Sequence, residues 1–279
     1  MNEIDATHRP VRQILAGPGG SSGAAHPSAR GPLPLRVRSR ADRVKIEHRL
    51  SPAQISDDRI VSALGQLMEA GLLVGQNEFE RAFVAVVESC GVPAETAWRW
   101  FYRNSVAELR SGQASFSPVH LRARSLLVGD EVLEVGSCFG FFALQCAQDG
   151  YRVAAIDIEP AALRLLDAAA REFGLDITTQ VGDARDLPFP ASSVDTVTLL
   201  HLLEHLDSSD VHRAIAEALC VARRRVIIAV PYEETPSEHF GHRQCLTEHD
   251  LRDWAAPWSS SHRIDVFDDH GGWLILDRR

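Results

Sequence analysis

"VLEVGSCFGFFAL", Val132 to Leu144, is the stretch on which the reading of this chain turns. Val132–Val135 read as a short strand, Gly136–Gly140 as a tight turn, and the apolar run from Phe141 as the opening of a helix. Glycines at such a turn let the backbone approach a ligand that a Cβ would hold off. A dinucleotide fingerprint, G-x-G-x-x-G, would need glycines at 136, 138 and 141. The chain has Gly136, Cys138 and Phe141 there, so only the first position fits.

Downstream of Gly129 the pattern alternates between strand and helix. Strands are expected at Val132–Val135, Arg152–Ile156, Ile177–Val181, Val194–Leu200 and Arg225–Val230, with helices at Phe141–Gln148, Ala161–Phe173 and Asp210–Ala222. Continuous apolar strands such as "VIIAV" suit a parallel sheet covered on both faces. The tail "HRIDVFDDHGGWLILDRR" places two short strands around the turn "DDHGG", the pattern of a closing antiparallel hairpin.

Upstream, from Ser51, the periodicity is helical. "SPAQISDDRIVSALGQLMEAGLL" opens on a Ser-Pro pair suited to a helix N-cap and first turn. "NEFERAFVAVVESCG" and "PAETAWRWFYRNSVAELRSG" give two more helices, ended by Gly91 and Gly112. In the last of these, Trp98, Phe101 and Tyr102 fall on one face. That spacing is first a core-facing stripe; its functional reading is a lid or a sugar platform. Ahead of them, "AGPGGSSGAAHPSARGPLP" is too poor in apolar residues to order itself. The expected organisation is a disordered basic tail over 1–50, a helical cap over 51–118 and a ligand-binding α/β domain over 119–279.

The chain has 279 residues, 45% of them hydrophobic, and a net charge of −9. The charge is uneven: residues up to Arg49 carry +5 and the remainder −14. An acidic body speaks against general nucleic-acid binding. No apolar run approaches the ~18–20 residues of a membrane span, and no signal-peptide core is present. Five cysteines without a C-x-x-C pair read as reduced thiols, so a cytoplasmic location is expected.

The turn after Val135 resembles the [DE]-x-G-x-G-x-G loop of class I S-adenosylmethionine (SAM) methyltransferases. Glu134, Gly136 and Gly140 match it, and Cys138 departs from it. The resemblance implies a Rossmann-like class I methyltransferase sheet, mostly parallel, with the antiparallel hairpin closing it and the helical layer N-terminal to it. It also implies a cofactor set. Glu134 would receive the amino group of the methionine part, and Gly136, Ser137, Cys138 and Gly140 would line the turn. Asp157, 21 residues after Gly136, would take the ribose hydroxyls with Ile158 beside it. Asp183 would take the adenine amino group, and Ala184 would leave room for the ring.

"LLHLLEHLD" follows the fourth α/β strand, at the edge where open sheets bind ligands. His201, Glu204 and His205 form H-x-x-E-H, also a zinc-peptidase spacing, which a position after a strand argues against. Some O-methyltransferases of this fold carry E-x-x-E-H here and hold Mg²⁺. His201 in place of the first acid disfavours a hard cation, so a metal-free polar cluster is expected, with His201, Glu204 and His205 the alternative metal set. His205 is the candidate general base with Glu204 orienting it, and His201 is placed with the cofactor set. "VPYEETPSEHFGH" supplies candidate acceptor-binding residues Tyr232, Glu233, His239 and His242, joined by Tyr102.

From about Gln76 to Trp254 the chain is most similar to actinobacterial mycofactocin oligosaccharide methyltransferases, on "FERAFVAVVES", "FYRNS", "GSCFGF", "HLLEHLD" and "VPYEETPSEHFGH". That implies O-methylation of a glucose hydroxyl in an oligosaccharide acceptor. A methyltransferase on a quinone or other small molecule shares every cofactor mark. A non-catalytic SAM-binding protein is the third alternative.

Overall fold

In a computed structural model of the chain, residues 35–40, 43–237 and 240–279 are described. They divide into a helical unit that runs to Ser117 and an α/β unit from Pro118 onward.

The helical unit opens with a hairpin of β1 (Arg36–Arg40) and β2 (Arg43–Glu47), paired in register from Arg36 with Glu47 to Arg40 with Arg43. The expectation of disorder to residue 50 therefore does not hold for these segments. Ile46 of β2 is buried. Residues 1–34, 41 and 42 of the expected tail lie outside the described residues, while His48 and Leu50 are buried. Helices α1 (Asp57–Glu69), α2 (Gly75–Glu88) and α3 (Ala94–Ser111) follow.

The Ser-Pro pair starts only a single 3-10 turn, Pro52–Gln54, and α1 begins later. The Ser51 N–H donates to the Gln54 side chain at 2.9 Å, and Asn104 of α3 holds the Pro52 and Ile55 carbonyls at 3.0 and 2.6 Å. Those carbonyls are thereby taken out of any continuing helix. The aromatic stripe is core: Phe101 stands edge-on to Phe83, Trp98 and Tyr102, with ring centroids 5.2–5.6 Å apart. A further helix, α4 (Ser117–Ser125), was not legible in the sequence, since "SPVHLRARS" has no apolar stripe.

The α/β unit is built on a seven-stranded sheet. Its strands are β3 (Glu131–Val135), β4 (Arg152–Asp157), β5 (Ile177–Val181), β6 (Val194–Leu200), β7 (Ala222–Val230), β8 (His262–Asp268) and β9 (Gly272–Arg278). The order across the sheet is β5-β4-β3-β6-β7-β9-β8. The first five pair in parallel, and β9 runs antiparallel to both β7 and β8. This is the mostly parallel sheet with its closing hairpin. Helices α5 (Phe141–Gln148), α6 (Pro160–Phe173), α7 (Ser208–Val221) and α8 (Glu248–Ala255) complete the unit.

The central strand β6 is buried at all seven positions, as a doubly covered strand must be. Val197, Leu199, Ile215, Val226, Ile228 and Leu274 belong to one core cluster of β6, β7, β9 and α7. Strand order reverses between β3 and β6, so the crevice for a ligand opens at their carboxyl ends. Among the described residues no helix is long and apolar enough to cross a membrane.

Candidate functional site

Two loops meet at that crevice: Gly136–Gly140 after β3 and His201–His205 after β6. The first is shaped by its backbone. Gly136 and Ser137 both donate their N–H to the Ile156 carbonyl, at 2.8 and 3.0 Å, and Gly140 donates to Ser137 at 2.7 Å. Gly136 and Gly140 have φ of 74° and 69°, the left-handed region open to glycine. Space forbids a side chain as well. A Cβ on Gly136 would come 2.8 Å from Leu202, and one on Gly140 would come 2.4 Å from Leu166. The first distance also shows how closely the two loops approach each other.

Cys138 adopts φ 50°, so this position carries a glycine-like backbone without a glycine. Its N–H donates to Asp157 at 2.7 Å, and the same carboxylate accepts from Glu159 N–H at 2.9 Å. Asp157 thus ties the end of β4 to the turn after β3. Burial is the largest of the influences that raise its pKa. Ile158 beside it is 55% exposed, unusual for a large apolar side chain and available to a flat apolar ligand surface.

Glu134 is buried and accepts the Ala143 N–H at 2.9 Å, which caps the start of α5 from the strand side. Burial lifts its pKa to about 8, against the lowering effect of that hydrogen bond. Asp183 is held by Arg185, whose guanidinium also reaches Asp210 at 2.7 Å. These hydrogen bonds keep Asp183 below the usual carboxylate range. Ala184 is half-buried beside it. The residues present fit a nucleoside-type cofactor: a turn that excludes Cβ atoms, a carboxylate at the end of the second parallel strand, and an exposed isoleucine next to it.

The second loop is a polar knot. His201 has φ 51° and donates its N–H to the Ala229 carbonyl at 2.8 Å, a non-glycine residue held in left-handed backbone at a strand end. Glu204 is fully buried, with Oε1 3.5 Å from His201 Nδ1 and 3.9 Å from His242 Nε2. The ring of His205 stands edge-on to that of His242, with centroids 4.9 Å apart.

Backbone stitching brings His242 there across a long sequence gap. Arg243 N–H donates to the Glu204 carbonyl at 2.9 Å, and the Gln244 amide reaches the Leu203 and Leu206 carbonyls at 3.3 and 3.1 Å. His242 in turn donates Nδ1–H to Glu233 at 2.7 Å, and Glu233 accepts from Ser237 Oγ at 2.6 Å. Burial lowers His201 to about 3 and His205 to about 4, and raises Glu204 to about 8. At neutral pH both imidazoles are therefore uncharged.

The structure thus gathers His201, Glu204, His205, Glu233 and His242, two of which the sequence offered only as separate acceptor-loop residues. Tyr232 packs over β9, where a Cβ on Gly272 would come 2.5 Å from its ring. Tyr102 is buried within the helical unit, and His239 lies outside the described residues. His120 of α4 was not singled out from sequence. It is buried edge-on to Phe142 at 5.4 Å and its pKa is pushed down to about 3, mainly by burial. A histidine in an arginine-rich, stripe-free helix gave no signal.

Residues 133–230 match the family model described as "Methyltransferase domain". A ubiquinone biosynthesis O-methyltransferase of Xanthomonas euvesicatoria is 33% identical over 110 residues, 38% of this chain and 46% of that protein. An uncharacterized protein of Mycobacterium tuberculosis is 32% identical over 84 residues, 30% of this chain and 31% of that protein. The chain thus aligns with about half or less of the length of these curated relatives. Among solved structures, the PH0226 protein from Pyrococcus horikoshii superposes with a TM-score of 0.51 at 15% identity, over 62% of this chain and 92% of that one, which shows the fold. The sheet order, the glycine turn and the family match converge: the chain contains a class I methyltransferase domain, with S-adenosylmethionine as its cofactor.

Proposed function

We propose that the chain is an O-methyltransferase whose acceptor is a sugar hydroxyl of a mycofactocin-type oligosaccharide. The observation that carries this reading is the buried polar knot at the carboxyl ends of β6 and β7. Its histidines and carboxylates suit a hydroxyl-bearing acceptor better than an apolar one.

Bound S-adenosylmethionine supplies an electrophilic methyl group. The protein's own residues do the rest. Gly136 and Gly140 admit the cofactor to the backbone of the turn. Glu134, capping α5, and Asp157, tying β4 to the turn, keep that backbone in place, and Asp157 and Asp183 offer carboxylates to hydroxyl and amino groups. His205 has its Nδ1 3.2 Å from the Gly241 carbonyl, which can only accept, so Nδ1 carries the proton and Nε2 a lone pair. In the metal-free protein Nε2 is placed to take the proton that the acceptor hydroxyl would lose on methylation. Glu204, buried in the same turn between His201 and His242, orients the knot around His205. Orientation of the acceptor oxygen toward the methyl group would supply much of the rate.

A second reading has its own support. The named relatives with about a third identity are ubiquinone biosynthesis O-methyltransferases, which favours a phenolic hydroxyl. Incubation with S-adenosylmethionine and either an oligoglucoside or a catechol-type quinol, followed by mass spectrometry, separates the two. A methylated glucoside is expected. A methylated quinol with an untouched glucoside would replace the first reading by the second.

A further inference from the structure

We propose that Glu204, His205 and His242 bind a divalent transition-metal ion of the zinc class. Each offers a ligand atom, and the three atoms lie within 4.8 Å of one another. Glu204 is 0% exposed, and among the described residues neither of its carboxylate oxygens has a hydrogen-bond partner. A buried carboxyl group left so is costly unless something else satisfies it.

The histidines are oriented for the purpose. His205 donates Nδ1–H to the Gly241 carbonyl and His242 donates Nδ1–H to the Glu233 carboxylate, so both leave an Nε2 lone pair. An imidazole backed by a carboxylate or a carbonyl is the usual outer layer of a metal-bound histidine. Glu233 is itself fixed, by the Ser237 N–H at 3.3 Å and the Ser237 hydroxyl at 2.6 Å. The loop that carries His242 is stitched to the Leu203–His205 turn through Arg243 and Gln244. The three donors are therefore presented by held backbone.

The donor set selects the ion. Two imidazole nitrogens and one carboxylate suit Zn²⁺ and its neighbours, whereas Mg²⁺ favours an all-oxygen shell. Three protein ligands also leave a coordination position open. When the ion is bound, His205 Nε2 is a ligand, and its part as proton acceptor belongs to the metal-free form alone. The site stands on side-chain geometry and does not depend on the methyl-transfer reading.

The test uses the full chain, stripped with a chelator, in a Cys220→Ser/Cys245→Ser background, because both thiols are exposed and would take up zinc themselves. Calorimetric titration with Zn²⁺ is expected to saturate at one equivalent, with Mg²⁺ much weaker. Glu233→Gln leaves every ligand in place but loosens His242, so zinc affinity falls roughly 10–100-fold. Glu204→Gln and His242→Gln lower it at least as far. No saturable zinc binding, or binding that Glu204→Gln and Glu233→Gln leave unchanged, overturns the proposal. Should the variants fail to fold, Co²⁺ added to the parent protein decides: visible absorption that saturates at one equivalent supports the site, and its absence overturns it. Zinc binding without methyl transfer would leave this site standing and remove the proposed function; methyl transfer without zinc binding would do the reverse.

Discussion

Replacing Cys138 by glycine tests the geometry of the turn most sharply, because the expected effect has an unusual sign. Cys138 sits at φ 50°. For a residue with a Cβ that left-handed conformation costs roughly 1–2 kcal/mol. Glycine avoids the cost but loses about 0.5–1 kcal/mol more backbone entropy on folding. The hydrogen bond from residue 138 to Asp157 comes from the backbone and survives the change. The thiol is half-buried, so little packing is lost. The difference is a stabilisation of about 0.5–1 kcal/mol, which for a unit of this size raises Tm by roughly 1–4 °C. Scanning calorimetry of the full chain reads it, on the transition of the α/β unit. A fall in Tm would show that the Cys138 side chain contributes more than its backbone costs, and would refute the strain argument. Affinity for S-adenosylmethionine is expected to be unchanged, since the same backbone serves both proteins; a gain would place the thiol in the cofactor's path.

The neighbouring glycine gives the opposite sign: Gly140→Ala combines a left-handed φ of 69° with a Cβ 2.4 Å from buried Leu166, and is expected to cost about 2–4 kcal/mol, measured by chemical denaturation. Burial holds Glu134 at about 8 against an ordinary 4.5, so its folded pKa lies above its unfolded one. Its contribution to stability is then fully present below 4.5 and is lost as pH rises to about 8. Glu134→Gln, which still accepts the Ala143 N–H, should therefore lose less Tm than the parent between pH 5 and 8; parallel slopes would contradict this. Arg185→Met frees the Asp183 carboxylate, whose pKa should rise toward the ordinary value in a carbon-13 NMR titration. An unmoved titration would show that Arg185 is not what holds it down.

Much of the sheet is legible in the sequence because its strands are short apolar runs separated by helical periodicity, and Val132–Val135, Ile177–Val181 and Val194–Leu200 emerge close to where their side chains put them. The boundaries that slip have local causes. Ala222 reads as the end of a helix but opens β7, where pairing with Val194 outweighs alanine's helical preference. The Ser51-Pro52 start is cut to one turn by Asn104, a residue 52 positions away from Pro52 that no local pattern reveals. The site divides in the same way. The glycine turn and Asp157 are marked by spacing along one β-α-β segment. The partnership of Glu204 with His242 and Glu233 depends on how the excursion after β7 folds back over the Leu203–His205 turn, and it becomes visible only through the Arg243 backbone and Gln244 side-chain contacts.

We assign the turn after β3 and Asp157 to the binding of S-adenosylmethionine. Calorimetric titration of the parent protein and of Asp157→Ala, with S-adenosylmethionine and separately with NAD, tests it most directly. Single-site binding of S-adenosylmethionine by the parent is expected, with marked weakening in Asp157→Ala and no heat with NAD. Binding of NAD in place of S-adenosylmethionine, or undiminished S-adenosylmethionine binding by Asp157→Ala, would contradict this assignment.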